Sequence, residues 1–130
     1  MRLVLAVAAG GAAGSVARYL LQGWVQRRTS AASGWLPLIP TGTLAVNLLG
    51  CAAIGLLATL FQERFAVDPA LRSGLLIGVL GGFTTFSAFG WETLGLLRAG
   101  NVLLAGAYVA ASVALGLVGV WLGIAVARWL

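Results

Sequence analysis

The side chains that could do chemistry are few and mostly uncharged. The chain has no histidine, one cysteine (Cys51), and three acids, Glu63, Asp68 and Glu92. This inventory excludes a Ser-His-Asp triad, a Cys-His dyad, a histidine-ligated metal and a disulfide within one chain. Three widely spaced carboxylates make a poor hydrolase or nuclease. The unusual stretch is Gly81-Gly82-Phe83-Thr84-Thr85-Phe86-Ser87-Ala88-Phe89, with paired glycines and paired threonines inside an apolar run.

Glycine costs a helix about 1 kcal/mol relative to alanine, and β-branched threonine adds a smaller penalty. The stretch therefore reads in two ways: a helix broken mid-membrane, or a continuous helix with a glycine-rich packing face. Non-helical backbone at that depth survives only when buried in protein or lining a cavity, so a break points to an ion or substrate site. The first half-helix would end in free carbonyls suited to a cation. The second would begin with free amides suited to an anion. Phe86 and Phe89 are three apart and share a face of that second half, with the Ser87 hydroxyl nearby. Their positive ring edges can flank an anion; lipid contact or core packing is the plainer reading. In the second apolar run Thr43, Asn47, Gly50 and Cys51 share a helical face, and a membrane-buried Asn47 must donate to an ion or pair across helices. Tyr108 and Ser112, four apart, share a face of the fourth. Together these form a sparse track of neutral donors. No carboxylate falls at the expected midplane, which argues against proton-coupled transport.

The elements that position these groups follow from composition. The 130 residues are 61% hydrophobic and 8% charged, with a mean hydropathy of +1.03. Soluble domains carry about 25% charged residues, so lipid is the solvent for most of this chain. A spanning helix needs about 20 apolar residues. Four runs qualify: Leu3 to Val25, Thr41 to Phe61, Ala70 to Leu97, and Val102 to Leu130. Arg27 and Arg28 open a loop reaching Gly34; Gln62 to Pro69 form another, with Pro69 placed to start a helix. Arg98, Gly100 and Asn101 make a tight turn. The expected architecture is all-α and integral to the membrane, one domain over residues 1–130. The first run is too long for a signal peptide and is read as a retained helix. The runs are continuous rather than alternating, which argues against a membrane β-barrel.

The net charge is +5, carried by arginine alone. The arginines sit singly or in pairs at the ends of apolar runs, as headgroup-level flanks do, so no nucleic-acid partner is expected. Tryptophans near the same boundaries fit an aromatic belt. Arg2, Arg64, Arg72 and Arg128 fall on one side; Arg27, Arg28, Arg98 and the nearby Arg18 fall on the other. With so little bias, subtler features must set the topology, or the chain inserts both ways and pairs as an antiparallel dimer. Glycines recur at helix-contact spacing, Gly10 with Gly14, Gly74 with Gly78 and Gly82, Gly119 with Gly123. Packing within one subunit is the first reading of most of them.

The third-run motif, Gly81 to Phe89 with Glu92 beyond, resembles the signature of the Fluc/CrcB fluoride channels. Gly42-Thr-Leu-Ala-Val-Asn47-Leu-Leu-Gly50 resembles their second-helix motif, and Gly10-Gly-Ala-Ala-Gly14 with Arg18-Tyr19 their first. The resemblance spans all four runs in order. It implies a dual-topology homodimer in a prokaryotic plasma (inner) membrane, with two antiparallel pores passing fluoride. It implies a central structural sodium ion on the main-chain carbonyls of Gly81 and Thr84. Asn47, Phe86, Phe89, Tyr108 and Ser112 fall on pore positions, with Thr85 and Ser87 beside them; Arg18 and Glu92 fall at a vestibule or interface. Ala88 and Gly116 stand where the family commonly has, or can have, hydroxyls. The rival reading is a four-helix multidrug exporter coupled to protons through Glu92. A non-transporting membrane scaffold is a second rival, but it has no need of Asn47 and the Gly-Gly/Thr-Thr stretch together.

Overall fold

The computed structural model describes residues 1–130. It is all-helical, with four helical segments long and apolar enough to cross a membrane, at Arg2–Ser30, Thr41–Glu63, Pro69–Arg98 and Val102–Trp129. The first two are helices α1 (Arg2–Ser30) and α2 (Thr41–Glu63). The third is composite: α3 (Pro69–Ser73), a π-helical stretch Gly74–Val79, α4 (Leu80–Phe83), then α5 (Phe86–Arg98). The fourth is α6 (Val102–Trp129).

Local chemistry sets the ends. Asp68 Oδ1 accepts from the amides of Ala70 and Leu71 at 2.9 and 3.3 Å, and Pro69 occupies the first turn of α3, as expected of it. After α5 the amides of Gly100 and Asn101 return to the carbonyls of Leu97 and Leu96, a Schellman closure. Gly100 takes φ +78° there, a conformation that residues with a Cβ rarely adopt. Gln62, Glu63 and Arg98, expected outside the helices, are the last residues of α2 and α5, and the largest boundary difference is at the end of the first span. Arg27 and Arg28 do not open the loop; α1 runs on to Ser30. Arg28 lies over the Trp24 ring at 5.5 Å, and Thr29 Oγ1 donates back to the Val25 carbonyl at 3.2 Å. Cations in a last helical turn also meet the negative end of the helix dipole. Gln26 of that extension caps α2 from a distance, its Oε1 accepting the Gly42 amide at 3.1 Å.

α1 packs along the first half of the third span, and α2 along α6. The glycine series make these contacts, as read from the sequence. A Cβ on Gly10 would strike the Gly74 carbonyl, one on Gly14 the Val79 carbonyl, and one on Gly123 the Ala52 carbonyl. Only 17 of 130 residues are buried within the chain, among them Val46, Tyr108 and Thr43. The outward faces of α1, α5 and α6 are rich in exposed Leu, Val and Trp, as lipid contact requires.

These contacts carry a prediction. Gly14→Ala should lower the melting temperature in detergent, because the added methyl meets backbone that cannot swing aside; overpacking costs about 1–3 kcal/mol. Gly106→Ala, with nothing within 4 Å of its new methyl, should match or exceed the unmodified protein. Equal melting temperatures would contradict this packing.

Candidate functional site

The third span is broken. Thr84 (φ −85°, ψ 160°) and Thr85 (φ −150°, ψ 120°) are extended between α4 and α5. Of the two readings open in the sequence, the structure takes the interrupted one, and Asn47 of α2 shows why. Its Oδ1 accepts the Thr85 amide at 2.8 Å, and its Nδ2 donates to the Thr85 carbonyl at 3.0 Å. One carboxamide thus replaces a peptide neighbour on both sides. Buried backbone polar groups demand such partners.

The break diverts two donors from their helical acceptors. The Thr85 amide, which would close a helical turn on the Gly81 carbonyl, is taken by Asn47. The Ala88 amide, which would reach the Thr84 carbonyl, goes to Thr85 Oγ1 at 3.2 Å and caps α5. The amides of Phe86 and Ser87 reach no carbonyl across the break either, so Gly81, Gly82, Phe83 and Thr84 all have carbonyls without their usual helical partners. No cluster of His, Cys, Asp or Glu suited to a metal exists; a cation at the break would meet neutral oxygens.

Beside the break lies a cavity of about 400 Å³, lined by Asn47, Thr85, Phe86, Phe89 and Ser112 among others. It brings together five of the residues read from the sequence as pore-forming. Phe89 stacks obliquely between Phe86 and Tyr108, with ring centroids 5.6 and 5.4 Å away. This tilted column runs from an exposed end to a buried one: Phe86 is 84% exposed and Tyr108 2%. Ser112 Oγ is buried without a hydrogen-bond partner, so a free hydroxyl faces this region. Ser87 is exposed, its hydroxyl 3.4 Å from that of Thr85. Cys51 also lines the cavity, and a Cβ at Gly116 would sit 3.4 Å from its sulfur. The thiol thus borders Gly116 of α6.

Beyond Phe89 lies a second polar cluster. Thr43 Oγ1 donates to Glu92 Oε1 at 2.6 Å, and the Tyr108 hydroxyl donates to Glu92 Oε2 at 2.9 Å. Glu92 in turn borders a different cavity of about 440 Å³ with Tyr19, Gln22, Gln26 and Pro40. The two cavities share no lining residue, and the Thr43–Glu92–Tyr108 cluster joins the aromatic column to the second of them. Arg18, half-buried on α1, makes no ion pair; the one salt bridge, Arg128 to Glu63 at 3.1 Å, ties the exposed ends of α6 and α2. Gln22 escaped the sequence reading altogether. An amide inside the first apolar run was the available signal, parallel to Asn47 in the second.

Residues 5–124 match the family model described as CrcB-like protein, Camphor Resistance (CrcB). A protein of Methylobacillus flagellatus named fluoride-specific ion channel FluC is 49% identical over 123 residues, covering 95% of this chain and 92% of its own. One of the same name from Geobacter sulfurreducens is 48% identical over the full length of both chains. Another from Chloroflexus aurantiacus is 44% identical over 99% of this chain and 98% of its own. With four membrane-spanning helices, a clamped break in the third and these full-length relatives, the chain belongs to the CrcB family.

Proposed function

We propose that this chain is the subunit of a fluoride channel and not an enzyme, passing fluoride down its gradient. The observation that carries the reading is the break clamped by Asn47 beside the Phe86–Phe89–Tyr108 column, in a family whose relatives bear the name fluoride-specific ion channel. Fluoride is small and strongly hydrated, so a pore must replace much of its water. Ring edges, the Ser112 hydroxyl and the second Nδ2 hydrogen of Asn47 supply neutral donors; Thr85 and Ser87 add hydroxyls. Chloride is larger and gains less from so close a fit.

The working unit is an antiparallel, dual-topology homodimer with two pores, in the plasma membrane of a prokaryote. The even arginine distribution and the outward position of Phe86 support this arrangement. A second copy would cover Phe86 and complete a wall of the pore. A structural sodium ion at the dimer centre fits the donors present: the carbonyls of Gly81 and Thr84 have lost their helical partners, and two copies offer four such oxygens. The half-helix C-terminal end adds a favourable dipole. The exporter reading through Glu92 has less support, because both carboxylate oxygens already hold hydroxyls of the same chain.

Purified protein in liposomes tests this. Fluoride should leave loaded vesicles without a proton gradient, and chloride should stay. Substituting a large organic cation for sodium on both faces should reduce that flux. Two lysines added beside Arg27 should bias insertion one way and lower activity, which an oppositely biased copy should restore. Proton-coupled drug flux, or no flux of either kind, would overturn the channel reading. Uniform orientation of the unmodified chain would overturn dual topology alone.

A further inference from the structure

Tyr19, Gln22, Gly23 and Gln26 recur at three- and four-residue spacing, so one face of α1 borders the cavity that holds Glu92. From that face Gln22 Nε2 donates to Thr43 Oγ1 at 3.0 Å. The bond sets a direction. A carboxylate only accepts, and threonine has a single hydroxyl proton. Thr43 sends that proton to Glu92 Oε1 at 2.6 Å, so its own oxygen must accept, and Gln22 must turn its NH₂ rather than its carbonyl toward it. Tyr108 fills the other carboxylate oxygen. Three helices thus converge on Glu92, from Gln22 on α1, Thr43 on α2 and Tyr108 on α6, with no cation among the contacts.

We propose that Gln22 is a positioning residue of the conduction path, holding Thr43 as an obligate donor to Glu92. The proposal rests on the fluoride-channel reading. An ion leaving the aromatic column for the outer cavity passes a carboxylate of its own charge. Two O–H donors draw that charge onto the helix walls, and a donor behind Thr43 polarises its hydroxyl and strengthens its hold. Without Gln22 the Thr43 hydroxyl is free to rotate, and Glu92 is held firmly at one oxygen only. The carboxylate then swings toward the path and repels the anion.

The test is a mutant cycle on fluoride efflux from liposomes, with dimer elution recorded for each variant. Gln22→Met keeps length and neutrality but cannot donate; it should lower flux about fivefold, as the loss of one hydrogen bond of ordinary strength implies. In a Thr43→Val background the same change should cost less than about twofold, because the route to Glu92 is already cut. Gln22→Glu has the same shape but only accepts, so two carboxylates compete for one hydroxyl proton; it should conduct less than Gln22→Met, and it serves as a second cycle if the methionine variant misfolds. An equal fractional loss in both backgrounds, or unaltered flux in folded Gln22→Met, would overturn the role of Gln22 while leaving the channel reading intact. Absent fluoride flux from the unmodified protein would overturn both.

Discussion

Asn47→Leu is expected to lower fluoride flux by at least about 100-fold, a loss of roughly 2.7 kcal/mol. Leucine fills nearly the same space but offers nothing to the Thr85 amide and carbonyl, which now meet Asn47 at 2.8 and 3.0 Å. Each unsatisfied backbone group in an apolar surround costs about 1–3 kcal/mol. The extended segment at Thr84 and Thr85 then loses its reason to stay extended, and Gly81 recovers its helical donor. Two quantities should move together: flux falls, and the melting temperature of the purified protein falls with it. If Asn47 served only as a donor to the passing ion, flux would fall with no loss of stability. Normal flux in a folded Asn47→Leu protein would sink both roles.

The second large effect is expected at the phenylalanines, and the structure separates the two. Phe86→Ile should cut flux about 30-fold or more, on the scale of 2 kcal/mol, while leaving the fold of the subunit itself intact. The ring is 84% exposed, so its removal opens no hole in the subunit. Phe89→Ile should cut flux as strongly and also destabilise the fold, because Phe89 packs on Tyr108 with centroids 5.4 Å apart. An aromatic pair contributes about 0.5–1.5 kcal/mol beyond its buried area. In both variants most of the side-chain bulk stays and the positive ring edge goes. Near-normal fluoride flux from both, with the dimer intact, would remove the rings from the path.

Much of this was legible from residue order. Apolar runs of membrane length dictate helices, because lipid offers the backbone no other partner and a helix satisfies its groups locally. Pro69 and Gly100 marked a start and a stop through their own dihedral constraints. The glycine series found their places between helices because each records, in its missing side chain, the approach of another backbone. Helical spacing puts Asn47 on a face with Cys51, and Phe86 on a face with Phe89; that Asn47, Phe86 and Phe89 belong to one site with Thr85 and Ser112 was implied by the family resemblance, and all of these residues line one cavity.

Other features rested on partners far away in the chain. Propensity left the stretch from Gly81 to Phe89 balanced between a break and a continuous helix. The balance was tipped by Asn47, 38 residues from Thr85. A penalty of about 1 kcal/mol per glycine can be outweighed by one well-placed carboxamide. Glu92 read as an outlying acid, a candidate proton coupler in the rival scheme. Its meaning changed once Thr43, 49 residues away, and Tyr108 closed on its two oxygens. The exit of α1 was misjudged for the same reason, since Thr41 and Gly42 of the next helix hold the last turns through Gln26 and Thr29. Residue order by itself determined which segments enter the membrane, since burial in lipid depends on each segment's own composition. Where the third helix breaks, and which way the hydroxyls around Glu92 point, only the tertiary structure decided, because a buried hydrogen bond needs both partners in place before either has a preference.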